Sequence, residues 1–166
     1  MMEILQKENT LLRKISREIK LKDISSVGIK DIIKDMIKTL SFTKDGIALA
    51  APQIGQSVRL FVVSPKAFTE ESPQNQLVYI NPRITKRSAR KVELEEGCLS
   101  VRNIFGFIKR YEKVTVEAYD ERGEKFTRGA SGLLAEIFQH EIDHLDGKLF
   151  IDTARDLREI KRDTDE

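Results

Sequence analysis

Residues 139–147 read QHEIDHLDG, and the five residues from His140 to His144 have the form HExxH. Residues four apart on an α-helix lie on the same face, so both imidazoles can reach one metal ion. Glu141 stands between them, where a carboxylate can take a proton from a water on such an ion. Both histidines of the chain stand in this pattern. The stretch therefore predicts a metal-binding helix rather than two separate core histidines.

The apolar residues around this stretch predict a helix over residues 131–146. Those at helical spacing are Leu133, Leu134, Ile137, Phe138 and Leu145. At about 100° per residue, the histidines fall on the side of Leu133 and Ile137, which we expect to face the core. Gly147 is expected to end the helix, because glycine is the usual residue just past a helix C-terminus.

A catalytic metal site of this type needs a third protein ligand and one open position. The longer pattern HExxHxxGxxH fits at Gly147 but fails at Phe150, where it requires histidine. Another HExxH type takes its third ligand from a glutamate on a second helix further downstream. The only glutamates there are Glu159 and Glu166, both in a short charged tail. Cys98 is the remaining soft donor, and a thiolate with two imidazoles suits Fe(II), Zn(II), Ni(II) or Co(II). A buried, inert cysteine is the alternative interpretation.

Periodicity and turn residues indicate the other elements. A helix is expected over residues 26–41, capped by Ser25 or Ser26. Strands are expected at Leu60–Val63, Leu77–Ile80, Val92–Leu94, Val114–Tyr119 and Lys125–Thr127. Residues 120–123 resemble a hairpin turn between the last two strands, and the tail from Asp152 onward is expected to form one more helix. The order of helix, antiparallel strands and helix predicts an α+β fold.

Length and composition predict a single domain over residues 1–166. The 29 basic and 27 acidic residues nearly cancel, which argues against direct nucleic-acid binding. No apolar run approaches the ~20 residues of a membrane span, and the N-terminus lacks the apolar segment of a signal peptide. The single cysteine excludes an internal disulfide bond and fits a reducing compartment. A cytoplasmic location without membrane attachment is therefore expected.

Three segments together resemble the peptide deformylase family. Residues 46–53 read GIALAAPQ, which is similar to the family's GxGxAAPQ, and residues 96–100 read EGCLS, like its second motif. The third motif, QHExDHLxG, matches residues 139–147. The motifs occur in the family's order, and the resemblance covers nearly the whole chain. It implies an α+β fold in which antiparallel β-sheets surround a central, C-terminal HExxH helix.

The resemblance also implies a metallohydrolase that removes the formyl group from the N-terminal formyl-methionine of newly made polypeptides and releases formate. One divalent metal ion per chain is expected. Fe(II) is the first choice, and Zn(II), Ni(II) and Co(II) are the alternatives. Its implied ligands are Cys98, His140 and His144. Glu141 would act as acid and base, while the side-chain amide of Gln53 and the backbone N–H of Leu99 would stabilise the developing oxyanion.

The substrate contacts implied by the resemblance are Gly46, Ile47, Ala48, Gly97, Leu133 and Ile137. The glycine segments would let the peptide backbone approach as an extra strand. The apolar residues would form a methionine pocket, although each could equally be plain core. The implied partners are N-formylmethionyl nascent peptides and the ribosome near its exit tunnel. Docking through a long basic C-terminal helix is not expected, because the tail is short.

Three positions depart from the family's pattern. Ala48 replaces the second glycine of the first motif, and Arg102 stands where proline is frequent, which leaves the loop through Phe107 undefined. Glu136, one turn before His140, is either an exposed helix residue or a carboxylate at the edge of the site that favours basic or polar substrates. Two other functions stay open, a peptidase that cuts internal bonds and a non-enzymatic binder of formylated peptides or metal.

Overall fold

The computed structural model describes residues 1–68 and 77–160. These residues form two α-helices, eight strands and several short 3-10 turns. In chain order the elements are α1 (Val27–Ser41), β1 (Ala48–Ala50), β2 (Leu60–Val63), β3 (Val78–Arg87), β4 (Lys91–Cys98), β5 (Val101–Tyr111), β6 (Lys113–Tyr119), β7 (Lys125–Ser131), α2 (Gly132–Leu145) and β8 (Arg155–Glu159). Within the described ranges, neither helix combines the length and apolar character that a membrane crossing needs.

The strands form two sheets in which all neighbours are antiparallel. One has the order β1-β2-β3-β6-β7, and the other has the order β4-β5-β8. α2 packs between them. Its Phe138 lies against Phe61 of β2 and Tyr79 of β3, with ring centroids 6.0 and 5.0 Å apart. On the other side, Gln139 bonds to the backbone of Tyr111 in β5. The expected α+β fold around the HExxH helix is confirmed.

α1 packs on the five-stranded sheet through one apolar face. Ile33, Met36 and Leu40 are buried there with residues of β1 and β2. Ser26 caps the helix, since its side chain accepts a hydrogen bond from the N–H of Ile29 at 3.4 Å. The helix predicted at residues 26–41 is therefore confirmed.

The end of the chain differs from the sequence-based expectation. The tail was expected to be helical, but Phe150–Asp152 is a 3-10 turn and β8 is a strand. Every residue of β8 is exposed, so burial of an apolar face does not hold this strand against the sheet. Backbone pairing with β5 and ion pairs from Arg155 to Glu93 and from Arg158 to Glu95 hold it instead. Glu166 lies outside the described residues.

Two further expectations need correction. The segment from Arg102 to Phe107 is part of β5 rather than an undefined loop, and Asn103 within it has a positive φ of 61°. Its charged residues and its irregular register hide the strand from a periodicity argument. Leu133 was expected to face the core but is 46% exposed, because it lies in the first turn of α2, where Ser131 and Gly132 are exposed as well.

A side chain at Gly147, at the end of α2, is expected to destabilise the fold. Gly147 has a φ of 73°, and a Cβ there would lie 2.5 Å from the carbonyl oxygen of Arg13. Gly147→Ala should therefore destabilise the fold by about 1–3 kcal/mol. Gly28, in the first turn of α1, has no atom within 4 Å of an added Cβ, and Gly28→Ala should stabilise by up to about 1 kcal/mol. Urea unfolding measures both, and equal stability of the two variants would contradict this account.

Candidate metal centre

Three potential ligands meet where β4 ends against α2. Cys98 is the last residue of β4, and His140 and His144 lie one turn apart on α2. The Cys98 sulfur and one ring nitrogen of each histidine lie within 4.8 Å of one another. The sulfur is 3.3 Å from Nε2 of His144. A tetrahedral ion at ordinary bond lengths separates such a sulfur and nitrogen by about 3.6 Å. The donor set and its spacing therefore fit one divalent ion.

The turn between β4 and β5 directs the Cys98 sulfur towards the helix. Cys98 pairs with Val101 across a two-residue connection, after a shift of register at Glu96. The sulfur is approached by the backbone N–H of Ser100 at 3.4 Å and by Nε2 of Gln53 at 3.7 Å. Donors at this distance stabilise negative charge on a sulfur ligand.

A buried ion pair orients His140. Nδ1 of His140 lies 2.9 Å from Oε2 of Glu96. Arg110 of β5 holds the same carboxylate from its other side, with Nε 2.7 Å from Oε1 and Nη2 2.9 Å from Oε2. Its third nitrogen, Nη1, reaches Asp143 on α2 at 2.6 Å. Glu96, Arg110 and Asp143 thus join β4, β5 and α2 in one network.

The charge of Glu96 determines which nitrogen of His140 is free. Burial would raise the pKa of Glu96, but hydrogen bonds from Arg110 and His140 lower it to about 2. The carboxylate is therefore ionised and can only accept, so Nδ1 of His140 carries the proton. Nε2 then presents its lone pair to the metal position, which is the usual arrangement of a metal-binding histidine with a carboxylate behind it.

Glu141 is a buried carboxyl group beside the ligands. It is 4% exposed, and its Oε2 has no hydrogen-bond partner within the described part of the chain. Burial, with the nearby charge of Glu96, raises the pKa of Glu141 to about 7, against the opposing effect of His140. A buried acid that has one oxygen unbonded among the described residues and lines the same cavity as the ligands is placed to exchange a proton there.

Gln53 presents an amide to the same point. It lies in the 3-10 turn Ala51–Ile54 directly after β1, and it is 2% exposed. Its Oε1 accepts a hydrogen bond from the N–H of Ala50 at 2.8 Å, which turns Nε2 towards Cys98 and Ser100. These bonds determine the orientation of the amide, with its oxygen towards Ala50 and its nitrogen towards Ser100.

A cavity of about 490 Å³ opens beside the ligands. Among the predicted substrate contacts, those that line it are Gly46, Ile47, Ala48, Gly97 and Ile137. Leu99 and Gln53 line it as well. Leu133, the remaining predicted contact, is not among the described residues that line the cavity. At Gly97 a Cβ would lie 2.7 Å from the ring of Phe105, so a larger residue would have to displace that ring.

All three departures from the family's pattern line the cavity, Arg102 and Glu136 as well as Ala48. Arg102 lines it from β5 with an exposed side chain. Glu136 was more simply interpreted as an exposed helix residue, but it is half-buried and lines the cavity. Its place one turn before His140 explains this, because both residues share the helix face that looks into the cavity.

Sequence reasoning missed several residues that hold the site in place. Glu96 and Ser100 stood inside the EGCLS segment without an assigned role, so the motif itself was the available signal. Gln139, which is buried and bonds to both backbone groups of Tyr111, stood likewise in the third motif. Arg110 gave no local signal, since it lies in an unpredicted strand beside another basic residue.

Comparison with known proteins agrees with this geometry. The family model described as polypeptide deformylase matches residues 1–159. Peptide deformylase 2 of Clostridium acetobutylicum is 43% identical over 145 residues, which cover 87% of this chain and 89% of the relative. A crystal structure of a peptide deformylase from Legionella pneumophila has a TM-score of 0.83 at 39% identity and covers 94% of this chain and 87% of that one. A Met-Ala-Ser-bound peptide deformylase from Acinetobacter baumannii has a TM-score of 0.82 at 29% identity, with 92% and 98% covered.

Arg110 is expected to support both the fold and the metal centre. Arg110→Met keeps the volume but removes the cation that pairs with the buried Glu96 and leaves His140 as its remaining partner, which costs about 3–5 kcal/mol. Loss of the group that holds the His140 partner should also weaken metal binding by about 10- to 100-fold. Urea unfolding and metal counting after dialysis against a chelator measure the two effects.

Arg83→Met is the matched control, because Arg83 pairs with Glu117 in an exposed position. Exposed pairs contribute little to stability, so this variant should keep its metal and lose far less stability than Arg110→Met. Similar losses in the two variants would show that the Glu96–Arg110 pair has no special role.

Proposed function

Because the chain belongs to the polypeptide deformylase family, it is a metal-dependent hydrolase that removes the formyl group from the N-terminal formyl-methionine of new polypeptides, and we propose which residues do this. The proposed metal ligands are Cys98, His140 and His144. The observation that carries the proposal is the convergence of this sulfur and these two imidazoles beside the buried carboxyl group of Glu141.

We propose one divalent ion per chain, with Fe(II) as the metal in the cell and Zn(II), Ni(II) or Co(II) as functional substitutes. One sulfur and two nitrogen donors suit all four ions, and three protein ligands leave a position open for chemistry. When bound, such an ion supplies Lewis acidity, which polarises a carbonyl group and makes water acidic enough to lose a proton near neutral pH.

Glu141 is the proposed acid and base. Its carboxylate would take the proton of the water that attacks the formyl carbon, and would then donate a proton to the amide nitrogen as the C–N bond breaks. Formate and a free amino terminus are the products. The support for this role is that Glu141 is buried, lines the cavity and has an oxygen without a hydrogen-bond partner among the described residues.

Gln53 and Leu99 are the proposed donors to the developing oxyanion. Nε2 of Gln53 is held at the Cys98 sulfur by the bond from the Ala50 N–H to Oε1. Leu99 follows Cys98 directly and lines the cavity, so its backbone N–H is close to the same point. Two donors that are fixed before the substrate arrives stabilise charge on the carbonyl oxygen without reorganisation.

The formylated peptide is proposed to lie extended in the cavity. Contacts are proposed with the lining residues Gly46, Ile47, Ala48, Gly97 and Ile137. A contact with Leu133, which does not line the cavity, stays a prediction. The Met-Ala-Ser-bound relative supports a short methionyl peptide in this place. Such peptides arise on ribosomes, so we propose that the enzyme works in the cytoplasm on chains that leave the ribosome exit tunnel.

A peptidase of the other HExxH types is less well supported. Phe150 stands where one type needs a histidine, and its ring packs 6.2 Å from that of His140. The other type needs a downstream glutamate as its third ligand. Of the two candidates, the structure describes Glu159, which lies on the exposed strand β8 and pairs with Ile104 of β5. A thiolate ligand from β4 replaces both.

Glu141→Gln is expected to separate binding from turnover. The amide keeps the size of the side chain but cannot accept the proton, so formate release from formyl-Met-Ala-Ser should fall by about 10²- to 10⁴-fold. Metal content should stay at the wild-type level, because Glu141 is not a proposed ligand. The assay uses protein purified anaerobically and loaded with Fe(II) or Ni(II).

The exposed Glu121 provides the control, and Glu121→Gln should keep the wild-type rate. Casein is incubated with the same samples. A Glu141→Gln variant with near-full rate would overturn the assigned acid and base. Casein cleavage without formate release by the metal-loaded wild-type protein would instead favour a peptidase. If the protein neither cleaved casein nor released formate, a binding protein would be favoured.

A further inference from the structure

Glu136 is an acidic residue on the wall of the substrate cavity that the proposed chemistry does not use. It lies on α2 one turn before His140, and it lines the cavity with Ile137 and Glu141. The side chain is half-buried, so a charge there is less screened than one on the open surface.

The other acids of this wall are accounted for. Glu96 is held by Arg110, Glu95 is paired with Arg158, and the exposed Asp45 is not without a partner either. Glu141 is the proposed acid and base. Glu136, in contrast, forms no ion pair or hydrogen bond with any residue that the structure describes. Burial, with the nearby charge of Glu96, raises the pKa of Glu136 to about 7, against the opposing effects of His140 and Arg110. Above that pH the side chain is ionised, and its negative charge is directed at whatever enters the cavity.

The basic residues that line the cavity do not cancel this charge. They are Lys44, before β1, and Arg102, on β5, and the side chains of both are exposed. Charges in contact with bulk water interact weakly at short range and are screened beyond about 10 Å. The inner wall beside Ile137 therefore carries a negative charge when Glu136 is ionised, while the outer part of the cavity is mixed in charge.

The geometry points to Glu136 as a specificity-determining residue that favours formylated peptides with a basic side chain at the second or third position. This inference rests on the proposed function. The first residue of the substrate is formyl-methionine, so the charge can select only among the residues that follow it. Side chains alternate along an extended peptide, so one of these two positions faces the α2 wall. A lysine there gains a partner, and a glutamate meets a like charge.

The test compares kcat/KM for matched tripeptides on the metal-loaded enzyme at about pH 8.5, because the pKa of Glu136 is raised to about 7 and the group must be ionised. Formyl-Met-Lys-Ser is paired with formyl-Met-Glu-Ser, and formyl-Met-Ala-Lys is paired with formyl-Met-Ala-Glu. In the wild type, the lysine peptide of at least one pair should be preferred. Glu136→Gln should lower that lysine-to-glutamate ratio by roughly three- to tenfold, since attraction and repulsion are lost together. Because the readout is a ratio, a uniform loss of activity cancels.

Glu124→Gln is the matched control, because it removes the same charge from an exposed residue of the β6–β7 turn. It should leave both ratios unchanged, and the Glu136 effect should shrink at high salt. If the lysine-to-glutamate ratio of kcat/KM were the same in the wild type and in Glu136→Gln at both positions, this inference would be overturned. The proposed function would not be affected. The proposed function has its own readout, because neutral formyl-Met-Ala-Ser must release formate whatever Glu136 does.

Discussion

The contact between Glu96, Arg110 and His140 is the interaction on which the site depends. It joins the two strands of a hairpin to the helix between the sheets, and all three partners are largely buried. Charges removed from water are costly unless their hydrogen bonds are satisfied, and here the carboxylate accepts three of them. The same contact orients the His140 ring and holds β4 against α2, so stability and ligand geometry cannot be varied separately at this point.

Side-chain amides also join separate segments of the chain, through hydrogen bonds to the backbone and to Ser100. Gln139 bonds to both peptide groups of Tyr111 and thereby fastens α2 to β5. Gln53 bonds to Ala50 and Ser100 and thereby links the turn after β1 to the β4–β5 turn. Three segments that are distant in sequence are brought together in this way around Cys98. The cavity lies between them, and its walls come from both sheets and the helix.

Much of this was accessible from the sequence. Both helices follow from apolar spacing and caps, and the candidate ligands follow from two histidines, one cysteine and three motifs. What escaped depends on partners remote in sequence. β8 exists because β5 offers a free edge, and the role of Arg110 exists because Glu96 and Asp143 surround it. The burial of Glu136 likewise depends on what packs opposite α2. The single domain over residues 1–166 stays a prediction, since residues 69–76 and 161–166 lie outside the described ranges.

The most direct test of the central claim is X-ray absorption spectroscopy at the metal edge of the anaerobically Fe(II)-loaded protein, with metal counted per chain. The account predicts one ion per chain with one sulfur neighbour at about 2.3 Å and two imidazole nitrogens at about 2.0–2.1 Å, the distances usual for such ligands. Cys98→Ser should then remove the sulfur signal. A full complement of metal without any sulfur neighbour in the wild type would contradict the account, because Cys98 would not be a ligand and the proposed centre would be wrong.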